Sequence, residues 1–458
     1  MPTFAADKMA AWTGGRWTRL PGGAVVGFTQ DTRSLAAGQV FVALRTDKRD
    51  GHDFLGAAQQ RGATAALVNR EDQAATLPQL VVGDTLEALQ RIAREHRREF
   101  HGTVVGVSGS VGKTSTKDLL GLLLGGAEQV LKTEGNLNNH IGVPLTLTRL
   151  DPAIHRAAVI EAGISGPGEM RPLAEMIEPE HSVITLVGPA HLEKLGSLDG
   201  VAHEKSRLPA ANRAGGQAVF PVSCWAFEPF RALANPLVLV PENEAMTNST
   251  ARTMKFHVCH RPDRTEVTLG GKRRFVLRRV SGGMAQNAAL ALALGGELGV
   301  TDAALQTRLA DWTPSKWRGE LRTFGAATVY CDFYNANPAS MTDAIDAFNG
   351  AVPAALPRLY VLGCMEELGH ASVLYHRQLG RLLHLRPGDF LFALGDQAVA
   401  LQDGLLENGN DPAAVAVISD LAPVRERLAG FKGAVFLKGS RRYQLETVLT
   451  PHDVIHAH

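Results

Sequence analysis

Short apolar runs alternate with amphipathic stretches along nearly the whole chain, and they sort into three blocks. In the first, residues 25–28, 40–44, 65–68 and 80–82 are apolar runs of strand length, and the charged stretch 86–100 closes the block as a helix. That pattern predicts a small α/β unit. The second block opens on the apolar strand 103–107, then a glycine turn and a helix from Lys113 to about Leu124. Further strands are expected at 157–160, running onto Glu161, and at 182–187, shortly before His191; a helix is expected at 198–208. Continuous apolar strands between helices imply a parallel sheet covered on both faces. Such sheets bind ligands beyond the carboxyl ends of their strands, where Glu161 and His191 fall. Residues 217–280, richer in Thr, Arg and Val, read as a β-rich excursion before a helix at 286–298. The third block starts near Pro314, with strands at 327–330, 358–362, 389–394 and 433–437 and helices between them. The expectation is an α/β protein of three domains, 1–98, 99–313 and 314–458.

Length agrees, since 458 residues suit about three domains. Hydrophobic residues make up 45% and charged residues 20%, a globular balance that excludes fibrous and disordered classes. With 47 Lys+Arg against 46 Asp+Glu the net charge is +1, so no bulk field draws the chain to nucleic acid or to an anionic membrane. Residues 1–14 lack an apolar core, and no uncharged apolar run reaches about 18 residues, so neither a signal peptide nor a membrane span is expected. Cys224, Cys259, Cys331 and Cys364 show no CxxC pairing and read as free thiols of a reducing cytoplasm.

The sharpest chemical signal is Ser108-Gly109-Ser110-Val111-Gly112-Lys113-Thr114-Ser115, which follows a strand and opens a helix as a P-loop does. Backbone N–H groups of Gly109 to Gly112 can cradle phosphate oxygens at the positive end of the helix. Lys113 adds a point charge, and the Thr114 hydroxyl can ligate Mg²⁺. The strict motif has glycine where Val107 stands, so the match is to the Gly-Lys-Thr core. A P-loop alone does not say where the phosphoryl group goes.

Weaker clusters surround it. Asn136, Asn138 and Asn139 lie among Gly135, His140 and Gly142, a stretch suited either to a polar substrate or to an ordinary surface loop. Glu161 at a buried strand end can hold a metal ion against the phosphate loop or simply face solvent. His191 reads as a ligand or a structural histidine, and Lys205, taken alone, as a solvated lysine. Asp332, with Tyr334 and Asn335 behind it, can bond a ribose hydroxyl or a metal-bound water. Lys438 and Ser440, beside Arg441, suit an anionic group such as a carboxylate, or form a turn.

These clusters in this order resemble the Mur ligase family of ATP-dependent amide ligases over nearly the whole chain. In the first block, Asp31-Thr32-Arg33-Ser34 and Asp50-Gly51-His52-Asp53-Phe54 resemble the family's uridine-nucleotide domain. Gly109 to Ser115, residues 136–147 and Ala190-His191-Leu192-Glu193 resemble its central P-loop ATPase domain. Tyr334-Asn335-Ala336-Asn337-Pro338, Glu367-Leu368-Gly369 with His376, and Lys438-Gly439-Ser440-Arg441 resemble its C-terminal, Rossmann-like domain. The chain lacks the Asp-Asn-Pro-Arg motif of the diamino-acid-adding sibling and is most similar to the type that adds D-alanyl-D-alanine to UDP-N-acetylmuramoyl-tripeptide.

The resemblance implies a cytoplasmic, monomeric enzyme of peptidoglycan precursor synthesis, with ATP on Gly109 to Ser115 and two Mg²⁺ ions. Thr114 and Glu161 match one metal site, and His191 with a carbamylated Lys205 the other. Lys113, Glu161, His191 and Lys205 are the implied catalytic set. Asn287 matches an adenine-side asparagine and Arg318 a hinge-side arginine, while Asp332, Tyr334 and Asn335 match the part that closes over the nucleotide. Thr32, Arg33, Ser34, Asn136, Asn138, Asn139, Lys438 and Ser440 match substrate-binding positions. Four positions depart from the family pattern: Cys364 replaces Asp, Gly283 replaces His, Ile164-Ser165-Gly166 replaces a Met-Asn-His-like run, and Thr46 replaces Gly. The alternatives are a Mur-like ligase for another amine or carboxylate and a non-catalytic nucleotide-binding homologue.

Overall fold

The computed structural model describes residues 2–246 and 251–449. Among these, three sheets follow one another along the chain. The first is five-stranded, in the order Arg16–Trp17, Gln79–Val81, Ala65–Val68, Gln39–Val42, Gly27–Thr29. Only its Arg16–Trp17 edge pairs antiparallel. The helix Thr85–Arg98 starts where the Asp84 carboxylate accepts from Glu87 N–H, an N-cap, and buries Ala88, Leu89, Ile92 and Ala93 on one face.

That helix also fastens the first unit to the second. Arg97 in its last turn is fully buried. Its guanidinium donates to the carbonyls of Ile177 (2.9 Å), Phe100 (3.1 Å) and Glu178 (2.7 Å) and to the Glu180 carboxylate (2.7 Å). Glu180 in turn accepts from Val104 N–H and from Arg213. A buried charge with all three nitrogens hydrogen-bonded in this way is specific in geometry, and removing it would leave the Glu180 carboxylate and three carbonyls short of a partner.

The central sheet has nine strands, in the order Arg273–Arg278, Arg264–Leu269, Arg252–His260, Pro236–Pro241, Ala218–Pro221, His181–Ile184, Thr103–Ser108, Ala157–Glu161, Val130–Lys132. Six of its eight strand pairings are parallel, and the two antiparallel ones are both made by Arg264–Leu269 in the β-rich excursion, the one strand that runs against the others. The excursion thus extends the central sheet. The Ala/Leu-rich helix Gly282–Glu297 lies buried against it, as an all-round apolar helix must. The expected strand 182–187 stops at Ile184. Thr185 and Leu186 leave the sheet because they hold the phosphate loop: the Thr185 hydroxyl donates to the Val111 carbonyl, and Ser110 N–H donates to the Leu186 carbonyl at 2.9 Å.

The third sheet is six-stranded, in the order Glu320–Phe324, Ala327–Cys331, Ala434–Lys438, Arg358–Gly363, Phe390–Leu394, Val415–Ile418. Its two edge strands, Glu320–Phe324 and Val415–Ile418, were not anticipated; the first is largely exposed and lacks an apolar run, whereas the second is a run of only four apolar residues of which Val415 alone is buried. Leu192 packs against the apolar core of the central sheet and also against that of the third. Polar contacts also cross this boundary: the Ser315 hydroxyl donates to Asp118 (2.6 Å), and Gly283 N–H donates to Asp343 (2.8 Å). No helix among the described residues is long and apolar enough to cross a membrane.

Candidate active site

The phosphate loop forms because its glycines allow it. Gly109 (φ 144°) and Gly112 (φ 82°) occupy conformations that side chains rarely adopt. A Cβ on Gly109 would lie 1.8 Å from the Thr185 hydroxyl, and one on Gly112 would lie 2.1 Å from Asn287 Nδ2. Asn287 therefore stands directly against the loop. The helix Lys113–Leu123 starts at Gly112, which aims its N-terminus at the loop. Strand register sets Val107 beside Glu161, which brings that carboxylate to the same end of the sheet.

Lys113 Nζ donates to the Gly109 carbonyl at 2.8 Å, and Lys205 Nζ donates to the same oxygen at 3.0 Å. Lys205 is 0% exposed, on the helix Leu198–Ala210. Burial pushes the amines of both lysines below the usual lysine range. Glu161 partly offsets this at Lys113, whereas the Lys113 charge depresses Lys205 further.

Glu161 is 1% exposed, and its Oε1 accepts from Asn138 Nδ2 at 2.7 Å. Its Oε2 is buried without a hydrogen-bond partner. An unpartnered carboxylate oxygen beside a phosphate cradle is the donor a hard divalent cation takes, so Glu161 with Thr114 fits a Mg²⁺ ion. The second implied pair does not fit as it stands. Lys205 carries an amine already committed to Gly109, and His191 Nδ1 is hydrogen-bonded to the Glu367 carboxylate. No group of three or more His, Cys, Asp and Glu able to hold a metal ion occurs among the described residues.

A cavity of about 840 Å³ lies between the central and third sheets. Its wall includes Ser110, Val111, Gly112, Lys113, Thr114 and Ser115, and also Glu161, His191 and Asn287. From the third unit come Arg318, Asp332, Tyr334, Asn335 and Lys438. Arg318 donates to the Thr114 hydroxyl at 3.1 Å and lies 4.1 Å over the Tyr334 ring. Asn337 Nδ2 reaches the Ser110 carbonyl at 3.4 Å. The structure thus gathers the sequence-derived nucleotide residues on one wall or the other, except Gly109, which lies outside the lining. Lys205 stays behind the wall.

The substrate-binding candidates divide. Asn136, Asn138 and Asn139 line the cavity, although Asn139 Oδ1 also accepts from Ile141 and Gly142 N–H where the helix Gly142–Leu147 begins. Thr32, Arg33 and Ser34 form a short exposed turn away from the cavity, with Arg33 paired to Asp31 and lowering that carboxyl to about 2. Lys438 is buried and donates to Asp332 (2.8 Å), so its charge is already matched. Ser440 lies outside the lining and accepts from Glu366 N–H at 3.1 Å.

Comparison with known proteins agrees with this geometry. The Mur ligase middle domain matches residues 107–294, the Mur ligase glutamate ligase domain matches 317–441, and the Mur ligase family catalytic domain matches 25–97. A UDP-N-acetylmuramoyl-tripeptide--D-alanyl-D-alanine ligase of Escherichia coli (strain K12) is 32% identical over 427 residues, covering 92% of each chain. The chain belongs to the Mur ligase family. The similarly named ligase of Bacillus subtilis (strain 168) is 30% identical over 434 residues, again 92% of each chain. A crystal structure of MurF from Acinetobacter baumannii superposes with TM-score 0.85 at 26% identity, covering 98% of both chains. MurF from Thermotoga maritima, crystallised in complex with ADP, superposes with TM-score 0.78 at 27% identity over 93% of this chain and 96% of that one.

Within this Mur ligase, two contacts escaped sequence reasoning. Asp343 accepts from Gly283 N–H, and a Cβ at Gly283 would lie 2.8 Å from its Oδ2, so the missing side chain makes room for this carboxylate. A lone Asp within a helix carries no motif. Glu367 pairs with His191 across the boundary, and the Glu-Leu-Gly run was visible without its partner. Cys364 is buried, and burial pushes its thiol up to about 12, so it serves as packing.

Proposed function

We propose that this Mur ligase joins D-alanyl-D-alanine to UDP-N-acetylmuramoyl-tripeptide with consumption of ATP, through an acyl phosphate on the tripeptide's terminal carboxylate. The observation that carries the reading is the single cavity in which a phosphate loop, an orphaned carboxylate oxygen and the third unit's Arg318 and Asp332 face one another. The named relatives, aligned over 92% of the chain, supply the substrate class.

The reaction must bring an anionic carboxylate to an anionic γ-phosphoryl group, so neutralising charge is the main demand on the site. Loop N–H groups from Gly109 to Gly112 and the Lys113 ammonium hold the phosphates. Thr114 and Glu161 would hold a Mg²⁺ ion, which when bound offsets phosphate charge. Asn287 faces the base, and Asp332 with Asn335 faces the ribose. Transfer of the γ-phosphoryl to the carboxylate releases ADP. The dipeptide amine then attacks the acyl carbon, loses its proton and expels phosphate. Closure of the third unit, with Arg318 against Thr114, excludes water that would hydrolyse the acyl phosphate. Lys205, buried and depressed, suits reaction with CO₂ as a neutral amine, and the resulting carbamate would give His191 the anionic co-ligand that it lacks.

The test is phosphate release and product mass with ATP, UDP-N-acetylmuramoyl-tripeptide and a panel of amines. Turnover dependent on D-alanyl-D-alanine supports the reading. Turnover with a different amine assigns another Mur-type ligation, and nucleotide binding without turnover identifies a non-catalytic homologue.

A further inference from the structure

Two residues on opposite sides of the domain boundary share an unusual backbone state. His191 (φ 56°) and Glu367 (φ 63°) are both non-glycine residues in the left-handed region. They face each other. His191 Nδ1 is hydrogen-bonded to the Glu367 carboxylate, and Glu193 N–H donates to the Glu367 carbonyl at 3.2 Å. Gly369 (φ 55°) closes the seat: a Cβ there would lie 3.0 Å from Glu193 Cα. Strained residues that oppose one another persist where the surroundings over-determine them, and such places are commonly functional.

The surroundings do over-determine them. Behind Glu367, Met365 N–H donates to His376 Nε2 at 2.9 Å and Glu366 N–H donates to Ser440 Oγ at 3.1 Å. His376 is 1% exposed and Ser440 3%. Beside His191, Leu192 packs into both apolar cores. The backbone bond and this packing suffice to dock the third unit. The Glu367 side chain is 54% exposed, so its ion pair with His191 contributes little to holding the domains together. What the carboxylate does control is the imidazole. In a neutral imidazole, a hydrogen bond from Nδ1 to a carboxylate places the hydrogen on Nδ1 and leaves the Nε2 lone pair free. His191 lines the cavity.

We propose that Glu367 is a positioning residue of the ligase site: reaching across the boundary, it sets the tautomer and ring orientation of His191, so that His191 is ready only when the third unit is docked. The proposal rests on reading the cavity as the ligase site. It makes the Glu-Leu-Gly run a report of closure delivered to the central sheet, and it gives Ser440 and His376 the task of holding that run in place.

The test uses the full-length protein with Glu367→Gln and Glu367→Ala. Histidine ¹⁵N spectra give the tautomer directly, with the His191 signal assigned from its loss in His191→Gln. In the parent, Nε2 of His191 should be the unprotonated nitrogen. Both Glu367 variants should shift those resonances towards a tautomer mixture. They should also lower kcat about tenfold to a hundredfold, the range for removing a carboxylate behind a functional histidine. The KM for ATP should stay within about twofold and the unfolding midpoint should hold, because the docking contacts remain. Unchanged ¹⁵N shifts overturn the proposal, and so does an unchanged kcat alongside altered shifts. The spectra need no turnover, so loss of the ligase reading and loss of this pairing are told apart.

Discussion

Lys113 and Lys205 donate to one acceptor, the Gly109 carbonyl oxygen, at 2.8 and 3.0 Å. Two ammonium groups this close in a dry interior repel strongly, and the depression of Lys205 by Lys113 expresses that repulsion. The pair is unequal: burial lowers both amines, but Glu161 partly offsets this at Lys113, whereas the Lys113 charge presses Lys205 further towards the neutral amine. With ¹³C-bicarbonate, a carbamate carbon signal is expected from the parent and not from Lys205→Met. In Lys113→Met, relief of repulsion makes Lys205 more basic, so the carbamate signal at neutral pH should weaken.

The same Lys113→Met change removes the point charge from the phosphate cradle. Loss of one preorganised electrostatic group of this kind lowers kcat by roughly a hundredfold to a thousandfold. Amine-dependent phosphate release should fall by that factor. Undiminished release would refute the assignment of the loop.

Gly112→Ala places a methyl group 2.1 Å from Asn287 Nδ2 and imposes a left-handed alanine (φ 82°). The conformational strain alone is about 1–2 kcal/mol. Nucleotide affinity, read by calorimetry with ADP, should weaken at least tenfold while the fold, read by circular dichroism, is retained.

Arg97→Met removes the buried guanidinium that joins the first two units and leaves Glu180 with only Arg213 and Val104 N–H. Breaking a buried, hydrogen-bonded charge pair destabilises by roughly 3–5 kcal/mol. The urea midpoint should drop accordingly, and the first unit should become sensitive to proteolysis.

Burial depresses the imidazoles of His376 and His96 below their ordinary value of 6.5. A histidine kept neutral in the fold but free to protonate when unfolded withdraws stability as pH falls below 6.5, until the folded value is reached. For His376 the geometry agrees, because Nε2 must stay unprotonated to accept from Met365 N–H. Urea midpoints should therefore decline from pH 7.5 to 5.5, and His376→Gln should flatten part of that decline.

Much of the fold was legible because it is parallel. The strands Thr103–Ser108 and Ala157–Glu161 are buried on both faces and read as unbroken apolar runs. Edge strands such as Glu320–Phe324 face water and carry no such signature. The phosphate loop was legible because its chemistry is local, with glycine, lysine and threonine in one turn. Asp343 was not, since its meaning comes from Gly283, far away in sequence. Lys438 suggested an anion site from its neighbours, yet Asp332 already neutralises it, a fact that only tertiary pairing shows.

Arg97 also has a consequence for anyone seeking to stop this enzyme with a small molecule. The joint it makes is a dry rivet, with all three guanidinium nitrogens bonded inside the protein. The seam beside the phosphate loop is stitched by single polar contacts such as Arg318 to Thr114 and Asn337 to Ser110. A compound seated in that seam competes with polar contacts one at a time, whereas one that parts the first joint must displace the whole set around Arg97 at once.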